Sequence, residues 1–546
     1  MSTYRIVTLG CRVNHYESLQ IEQFLQESGH IRASGPDADL IILNTCSVTN
    51  AAAAKSRNLL RRFSRRPFFP STDPAATPAA GARTIAIGCW ATSDPESAIQ
   101  IVGPHAVLSH KDNIAAGLAQ LIPPATRPDE TNLAAARFAV THSDAAHPHA
   151  TGPDAPHPDA AHRATSRPGE TLPPEIRPDA SRLAAAHPNA TRPNAPHRAV
   201  THPAACPPPP AVSLPLLSIR QPDNQRAILK IQDGCDAHCT YCIIPSLRNT
   251  LSSKPLADVL TEARQLIDAG HQELVLTGIF LGAYGQPTAL HRRQKPIEQS
   301  LGHLIHTLCT RVPGMRRLRL SSLEPADLTD DLLAVLRSHP QIMPHFHLPL
   351  QSGADSILRK MNRQYNRQDY LRMVDRLKTA FDRPAITTDI IVGFPGETDD
   401  LFQQTLDLVD QAGFLHIHPF PFSPRQGTAA ARWKTQFVHS QTITDRMNLL
   451  QDRCRQHSLT FRRQFVGQHV QLMVEHPSAD QTRSAHINGL QHGRCERYFP
   501  VHFQAPTNLT GQLLQVRITQ ATPTQTLATP DSALPSSNGA TSFSPG

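Results

Sequence analysis

Ile231–Pro245 reads IQDGCDAHCTYCIIP and carries three thiols, Cys235, Cys239 and Cys242. The spacing is C-x3-C-x2-C. It follows directly on an apolar run, Ala227–Ile231, with the composition of a buried strand. Thiolates are soft ligands suited to iron–sulfur clusters and zinc. A structural zinc site usually adds a second C-x2-C or a matched pair of histidines, and neither follows here. Three thiolates on a four-iron cluster leave one iron open, so the loop reads as a cluster site with a free coordination position.

Downstream, strand and helix patterns alternate. Strand-like runs fall at Ala227–Ile231, Glu273–Leu276, Arg317–Leu320, His345–Pro349, Ile386–Val392 and Leu415–Pro419, with helical periodicity at, for example, Leu256–Ala269 and Asp369–Phe381. Six consecutive βα units predict an open, partial (β/α)6 barrel with its chemistry at the carboxyl ends of the strands.

Upstream, strands are expected at Tyr4–Leu9, Leu40–Asn44 and Thr84–Ile87, with helices at His15–Glu27 and Ala51–Arg65. This is an α/β pattern with a parallel sheet. Each strand runs into a cysteine: VTLGC ends at Cys11, IILNTC at Cys46 and IAIGC at Cys89. Parallel strands end on one edge, so three thiols far apart in sequence can converge there on a single site. Gly10 and Gly88 permit the tight turns required. A lone cysteine would read only as a small buried side chain; Cys206, Cys309, Cys454 and Cys495 have no such partners and are read that way.

The 546 residues suffice for several domains. The boundaries predicted are an N-terminal α/β domain at 1–121, a linker at 122–215, the partial barrel at 216–460, a small C-terminal β-barrel at 461–520 and a tail at 521–546. The linker is built from Ala, Pro, His, Arg, Asp and Thr, with Phe138 its only aromatic. It cannot bury enough apolar surface to offset ordering, so it is expected to be disordered. The Ser/Thr/Pro-rich tail is read the same way. The short alternating runs HVQLMVEH, RYFPVHF and GQLLQVRIT suggest the small barrel. The net charge of +8 permits nucleic-acid binding without demonstrating it. No secretory pattern or membrane-length apolar run is visible, so a cytoplasmic location with reduced thiols is expected.

On these residues the chain resembles the radical S-adenosylmethionine (SAM) methylthiotransferases. LTGIFLGAYG, LSSLEP, HLPLQSG, TDIIVGFPGET and FPFSPRQGT extend the likeness, which covers about 1–115 and 226–520. The resemblance implies two 4Fe-4S clusters and SAM. It places one cluster on Cys235, Cys239 and Cys242, where SAM is cleaved to a 5′-deoxyadenosyl radical. It places the other on Cys11, Cys46 and Cys89, where a sulfur species is held for transfer, with the methyl group coming from a second SAM. It further implies SAM contacts at Thr277 and Gly278, at Glu324 and Gln351, and at Gly393 and Gly396. The alternative readings are Glu324 as a helix-capping acid, the two glycines as turn formers, and Asp389 as the partner of a basic group.

The branch is suggested by TLGCRVNHYES, Thr8–Ser18, which looks like the enzymes acting on threonylcarbamoyladenosine in tRNA. The isopentenyladenosine branch usually has Met in place of Val13 and Asp in place of Glu17. The branch acting on a ribosomal-protein aspartate has Pro-Lys where this chain has Arg12-Val13. The implied partners are tRNA and an electron donor such as flavodoxin or ferredoxin; the sulfur donor is open. The C-terminal barrel resembles the RNA-binding TRAM domain. It has six Arg and no Lys across Arg462–Gln520, and Tyr498, Phe499 and Phe503 are its candidates for base stacking. After the cluster loop the family usually shows a basic run near RGRxRS; here LRNTLSSKP keeps only Arg248 and Lys254. The rival reading is a zinc-containing RNA-binding protein without catalysis. An electron-transfer protein is disfavoured, because neither triad has a fourth cysteine to close its cluster.

Overall fold

The computed structural model describes residues 2–33, 38–64, 84–110, 112–122, 213–221, 225–290, 300–476 and 490–531. Nearly all of the expected linker, with Cys206, lies outside the described residues, as does the tail beyond 531.

The N-terminal sheet is parallel, in the order β2-β1-β3-β4-β5: β1 Thr3–Thr8, β2 Ile31–Arg32, β3 Leu40–Thr45, β4 Thr84–Ile87 and β5 Val107–Leu108. All six residues of β3 are buried, as expected for a central strand covered by helices on both faces. The helix Arg12–Glu27 leaves the end of β1 and buries Tyr16 in the core of the following domain.

That domain has six parallel strands. In chain order they are β6 (Arg226–Lys230), then, after a small antiparallel pair β7 and β8 (Gln232–Asp233 with Ser252–Ser253), β9 (Glu273–Thr277), β10 (Arg317–Leu320), β11 (His345–His347), β12 (Ala385–Val392) and β13 (His416–Pro421). The ladders β6-β9-β10 and β11-β12-β13 join through bridges at Leu318 and Ile342 and at Ser322 and His347. Among the described residues β6 and β13 do not pair, so the barrel is open.

The last domain is a closed barrel, β14-β15-β16-β18-β17: β14 His469–Val474, β15 Leu490–Cys495, β16 Pro500–Gln504, β17 Leu513–Ala521 and β18 Thr526–Pro530. The boundary expected at 520 is corrected here. β18 pairs with β17 and with β16 and closes the cylinder, so Thr526–Pro530 is structural. Its TLATP sequence gives little strand signal alone, but it satisfies two edges that would otherwise be left open.

The small barrel caps the amino-terminal mouth of the large one. Arg317 donates to Gln471, Arg319 to the carbonyls of Cys495 (3.0 Å) and Glu496 (2.9 Å), and Arg497 to those of Asp382 and Arg383 (both 2.9 Å). The Arg317 and Arg319 side chains are buried with Glu273. This overturns two expectations. Phe499 and Phe503 lie in the small barrel's own core, and Tyr498 is held among arginines, so none of the three is presented for base stacking. Of the arginines, Arg462, Arg494 and Arg497 serve internal contacts. Arg463 and Arg517 are the outward-facing ones among the described residues.

Candidate active site

Strand register sets the first thiol triad. Thr8 pairs with Asn44, Asn44 with Ile87, and Thr45 bridges Gly88. Cys46 and Cys89 are thus the next residues on adjacent strands, with Cys11 just beyond β1 at the same edge. Gly10 and Gly88 have φ of +106° and +91°, a region costly for other residues. A Cβ on Gly10 would sit 3.1 Å from Cys46 Sγ, and one on Gly88 would sit 2.3 Å from Asn44 Oδ1.

Asn14, which the sequence reading passed over, ties the edge together. Its amide nitrogen donates to the carbonyls of Leu9 (3.0 Å) and Thr45 (2.9 Å). Its carbonyl oxygen accepts from the thiols of Cys11 (3.7 Å) and Cys89 (3.9 Å). The available signal was a polar residue three positions after Cys11, on the buried face of a helix.

The second triad sits at the carboxyl end of β6. Gly234, at φ +75°, starts the loop where a Cβ would meet Thr250 O at 1.9 Å. Cys235 N donates to Arg248 O (3.1 Å), Cys242 N to Cys239 O (3.1 Å), and Thr240 N to Met361 O (3.0 Å). Arg363 donates to Cys239 Sγ at 3.3 Å and pairs with Glu324.

The remaining expected residues lie at neighbouring strand ends. Thr277 closes β9 and is buried, and Gly278 packs on Gln232 just before the loop. Glu324 caps the short turn Pro325–Asp327 besides pairing with Arg363. Gln351 takes a left-handed φ of +64° while its backbone bonds to Asp389 and Ile391; such strain in a non-glycine residue clusters at functional sites. Gly393 and Gly396, at φ +76° and +83°, form a turn where a Cβ would strike Ile443 and Lys360. Asp389 pairs with His347 at 3.2 Å.

Both thiol sets suit a soft metal. Burial pushes Cys89 and Cys242 up to about 12 and Cys235 up to about 11, and raises Cys46 and Cys239 as well. Without a cation these thiols hold their protons at neutral pH, and a metal that binds them must release those protons.

The surviving basic residues of LRNTLSSKP turn out to be structural. Arg248 is buried and makes bonds to both Glu17 oxygens (2.7 and 2.8 Å) and to Asp233 (2.9 Å). Lys230 meets Glu17 at 3.1 Å and Asp233 at 2.6 Å. Burial opposes the Glu17 charge, but Lys230 and Arg248 outweigh it and hold the acid at about 2. Lys254 pairs with Glu262 and donates to Tyr16. Arg248 also lies 3.0 Å from His110, whose Nε2 is 3.6 Å from Cys89 Sγ. A continuous polar chain therefore runs from one cysteine edge to the loop of the other.

Two three-thiol groups, each at the carboxyl edge of its own parallel sheet and joined by a buried ion-pair network, make two candidate metal centres. Two family models match: the Radical SAM superfamily over residues 229–409 and the uncharacterized protein family UPF0004 over 3–108. A tRNA-2-methylthio-N(6)-dimethylallyladenosine synthase of Maricaulis maris (strain MCS10) is 30% identical over 95% of this chain and 96% of its own. The threonylcarbamoyladenosine tRNA methylthiotransferases MtaB of Bacillus subtilis (strain 168) and Thermotoga maritima are each 28% identical. The first is matched over 95% of this chain and 94% of its own length, the second over 87% of each. Among solved structures, the cobalamin-dependent radical enzyme OxsB with aqua-cobalamin and SAM bound gives a TM-score of 0.41 at 10% identity, over 82% of this chain and 56% of that one.

The chain belongs to the radical SAM methylthiotransferase family. It is an enzyme that transfers sulfur-containing groups, and its cofactors are SAM and two 4Fe-4S clusters. No helix of the described residues is long and apolar enough to cross a membrane.

Proposed function

We propose that this enzyme methylthiolates N6-threonylcarbamoyladenosine next to the anticodon of tRNA, giving the 2-methylthio derivative. The observation that carries this reading is the Thr8–Ser18 segment, which resembles that branch. Its Glu17 is also the carboxylate that receives Arg248 from the cluster loop. The names of the Bacillus and Thermotoga relatives support the same substrate. The Maricaulis relative, at slightly higher identity, supports the second reading, isopentenyl-type adenosine.

In this proposal Cys235, Cys239 and Cys242 hold the cluster at which SAM is cleaved, and Cys11, Cys46 and Cys89 hold the one from which sulfur is delivered. When bound, these groups supply radical hydrogen abstraction and sulfur insertion. The chain's own part is positional. Asn14 orients two thiols of the first triad, and Arg363 stabilises the Cys239 thiolate by a charged hydrogen bond. Thr277, Gly278, Glu324, Gln351, Gly393 and Gly396 form the SAM side at the strand ends. The domain at 1–121 carries sulfur, that at 216–460 generates the radical, and the small barrel adds tRNA affinity. The segment 122–215 acts as a linker. The electron donor is a flavodoxin or ferredoxin, and the work is done in the cytoplasm.

The test is nucleoside analysis of tRNA from cells lacking the gene. The expected result is loss of 2-methylthio-threonylcarbamoyladenosine with accumulation of its precursor. Persistence of that nucleoside together with loss of the isopentenyl analogue would reverse the substrate assignment.

A further inference from the structure

Three neighbouring strands of the open barrel bring together donors that the chemistry above does not use. Register aligns His347 with Thr387, Thr387 with His416 and Asp389 with His418. Side chains alternate along a strand, so Thr387 and Asp389 of β12 share a face with His347 of β11 and His418 of β13. One ring nitrogen each of His347 and His418 and one oxygen of Asp389 lie within 4.8 Å of one another. These donors occupy a single level of the barrel. The next pair on this face toward the carboxyl ends is Ile391 with Phe420, and both are apolar. Toward the amino ends Tyr498 stacks on His345, and Arg319 and Arg494 stand over its ring. Each of those guanidiniums is offset by an acid, Glu273 at 2.5 Å and Glu475 at 3.5 Å.

The geometry suits an ion. His347 Nε2 and Asp389 Oδ2 are 3.2 Å apart. Two donors with that separation, each about 2.1 Å from one ion, subtend about 100° at it, close to tetrahedral. The other nitrogen of His347, Nδ1, bonds the Thr387 hydroxyl at 3.0 Å. Metal-binding imidazoles are commonly oriented in this way through the ring nitrogen that does not touch the ion. When Nδ1–H donates to Thr387, the Nε2 lone pair faces the carboxylate, and a cation between them makes that contact attractive. His418 is exposed. It makes ring contacts with His347 (5.9 Å) and His416 (4.4 Å) and no hydrogen bond among the described residues. Closing the widest donor pair to the tetrahedral separation of about 3.4 Å takes at most about 1.4 Å, a side-chain rotation. His416 stands outside the set, with its Nδ1 4.0 Å from Cys454 Sγ. The His347 and Asp389 side chains are 19% and 28% exposed, which gives an ion a way in.

We propose that His347, Asp389 and His418 bind one divalent cation of the zinc class, separate from both cysteine triads. Two imidazoles and a carboxylate suit zinc or iron(II), whereas magnesium and calcium take oxygen ligands. Three protein ligands leave a fourth position for water, turned toward the interior of the barrel. The Asp389 carbonyl accepts from Gln351 N at 2.8 Å, so the ion lies beside the strand ends proposed above as the SAM side.

The test uses the full-length enzyme with both clusters reconstituted anaerobically, so that both triads are occupied. It is dialysed against buffered micromolar zinc, and zinc and iron per chain are measured. Zinc K-edge absorption then reports the ligand atoms. One zinc per chain is expected, with nitrogen and oxygen donors at about 2.0–2.2 Å and iron unchanged; sulfur would appear at about 2.3 Å. Asp389→Asn and His418→Leu should each weaken zinc binding by about tenfold or more. Thr387→Val should weaken it several-fold and His416→Leu hardly at all, with wild-type iron content throughout.

A wild type that retains no zinc overturns the proposal and leaves His347 and Asp389 as a hydrogen-bonded pair. Sulfur ligation with falling iron also overturns it, since zinc has then displaced a cluster. Nitrogen and oxygen ligation that survives both ligand variants, or that falls equally with His416→Leu, puts the ion elsewhere and overturns it too. A variant that loses iron is set aside, and the wild-type ligand shell and Thr387→Val then decide.

Discussion

Replacing Arg248 with Met removes the guanidinium that joins the two cysteine-bearing domains while keeping much of its volume. The side chain is 4% exposed and Glu17 9%, so the pair has little access to water. Deleting one partner of such a buried pair costs about 3–5 kcal/mol, because the other charge stays buried. Lys230 remains beside both Glu17 and Asp233, which places the expected cost at the lower end, about 3 kcal/mol. That corresponds to roughly two decades of hydrogen-exchange protection in the helix Arg12–Glu27, at a tenfold change per 1.4 kcal/mol. Amide exchange is the suitable assay, since a chain of several domains has no single unfolding free energy.

The pH dependence has a definite sign. Glu17 titrates at about 2 in the fold against 4.5 ordinarily. Its contribution is therefore complete above about 4.5 and is lost as pH falls through about 2. The gap between wild type and Arg248→Met should stay constant from pH 7 to pH 5 and close only toward the acid extreme. A loss of protection under fivefold at pH 7, or a gap that closes by pH 5, would refute the reasoning.

The two triads should separate by function. Cys239→Ala should abolish 5′-deoxyadenosine formation. Cys46→Ala should leave about half the iron and still yield 5′-deoxyadenosine, but no methylthiolated nucleoside; normal methylthiolation in that variant would count against the proposed division of labour. Deleting about Asp129–Ala205 with a short flexible bridge should leave iron per chain unchanged, and a fall would assign that segment a structural role. Because removing the small barrel would strip Arg317 and Arg319 of their partners, its RNA role is better tested by Arg463→Ala with Arg517→Ala. The pair should lower the slope of log affinity against log salt by about 1–2, and an unchanged slope would place tRNA elsewhere.

Both cysteine triads were legible because periodicity and chemistry coincide there. Each of Cys11, Cys46 and Cys89 follows an apolar run, and a parallel sheet converts equivalent strand ends into one edge. What stayed illegible depends on contacts between distant segments. Nothing in LRNTLSSKP shows that Arg248 turns inward to Glu17, 231 positions away; sequence presents a basic residue near a cluster loop, and the ordinary reading is a solvated one. The small barrel misled for a related reason. Arginines and aromatics suggest RNA when counted, yet strand alternation sends Phe499 and Phe503 to its core, and docking under the large barrel consumes Arg497. The end at 520 was missed because β18 is short and polar, and its strand character comes from the two neighbours it pairs with.

In the proposed division of labour, the helix Arg12–Glu27 also fixes how far sulfur must travel. Tyr16 is seated in the core of the radical domain, where its hydroxyl donates to Glu262 at 2.6 Å. Arg12 stands one turn earlier on the same side of the helix, about 6 Å along the axis. Cys11 precedes Arg12 by one residue. The thiol edge of the N-terminal domain is thereby held against the following domain by a rigid element anchored within one turn. Glu17, one residue beyond Tyr16, ties that same turn to the loop carrying Cys235. A rotation of the helix that withdrew Cys11 would have to pull Tyr16 out of an apolar core and break a buried ion pair together. The spacing between the two cysteine edges is therefore built into the fold before any substrate arrives, and the tRNA base has to come to it.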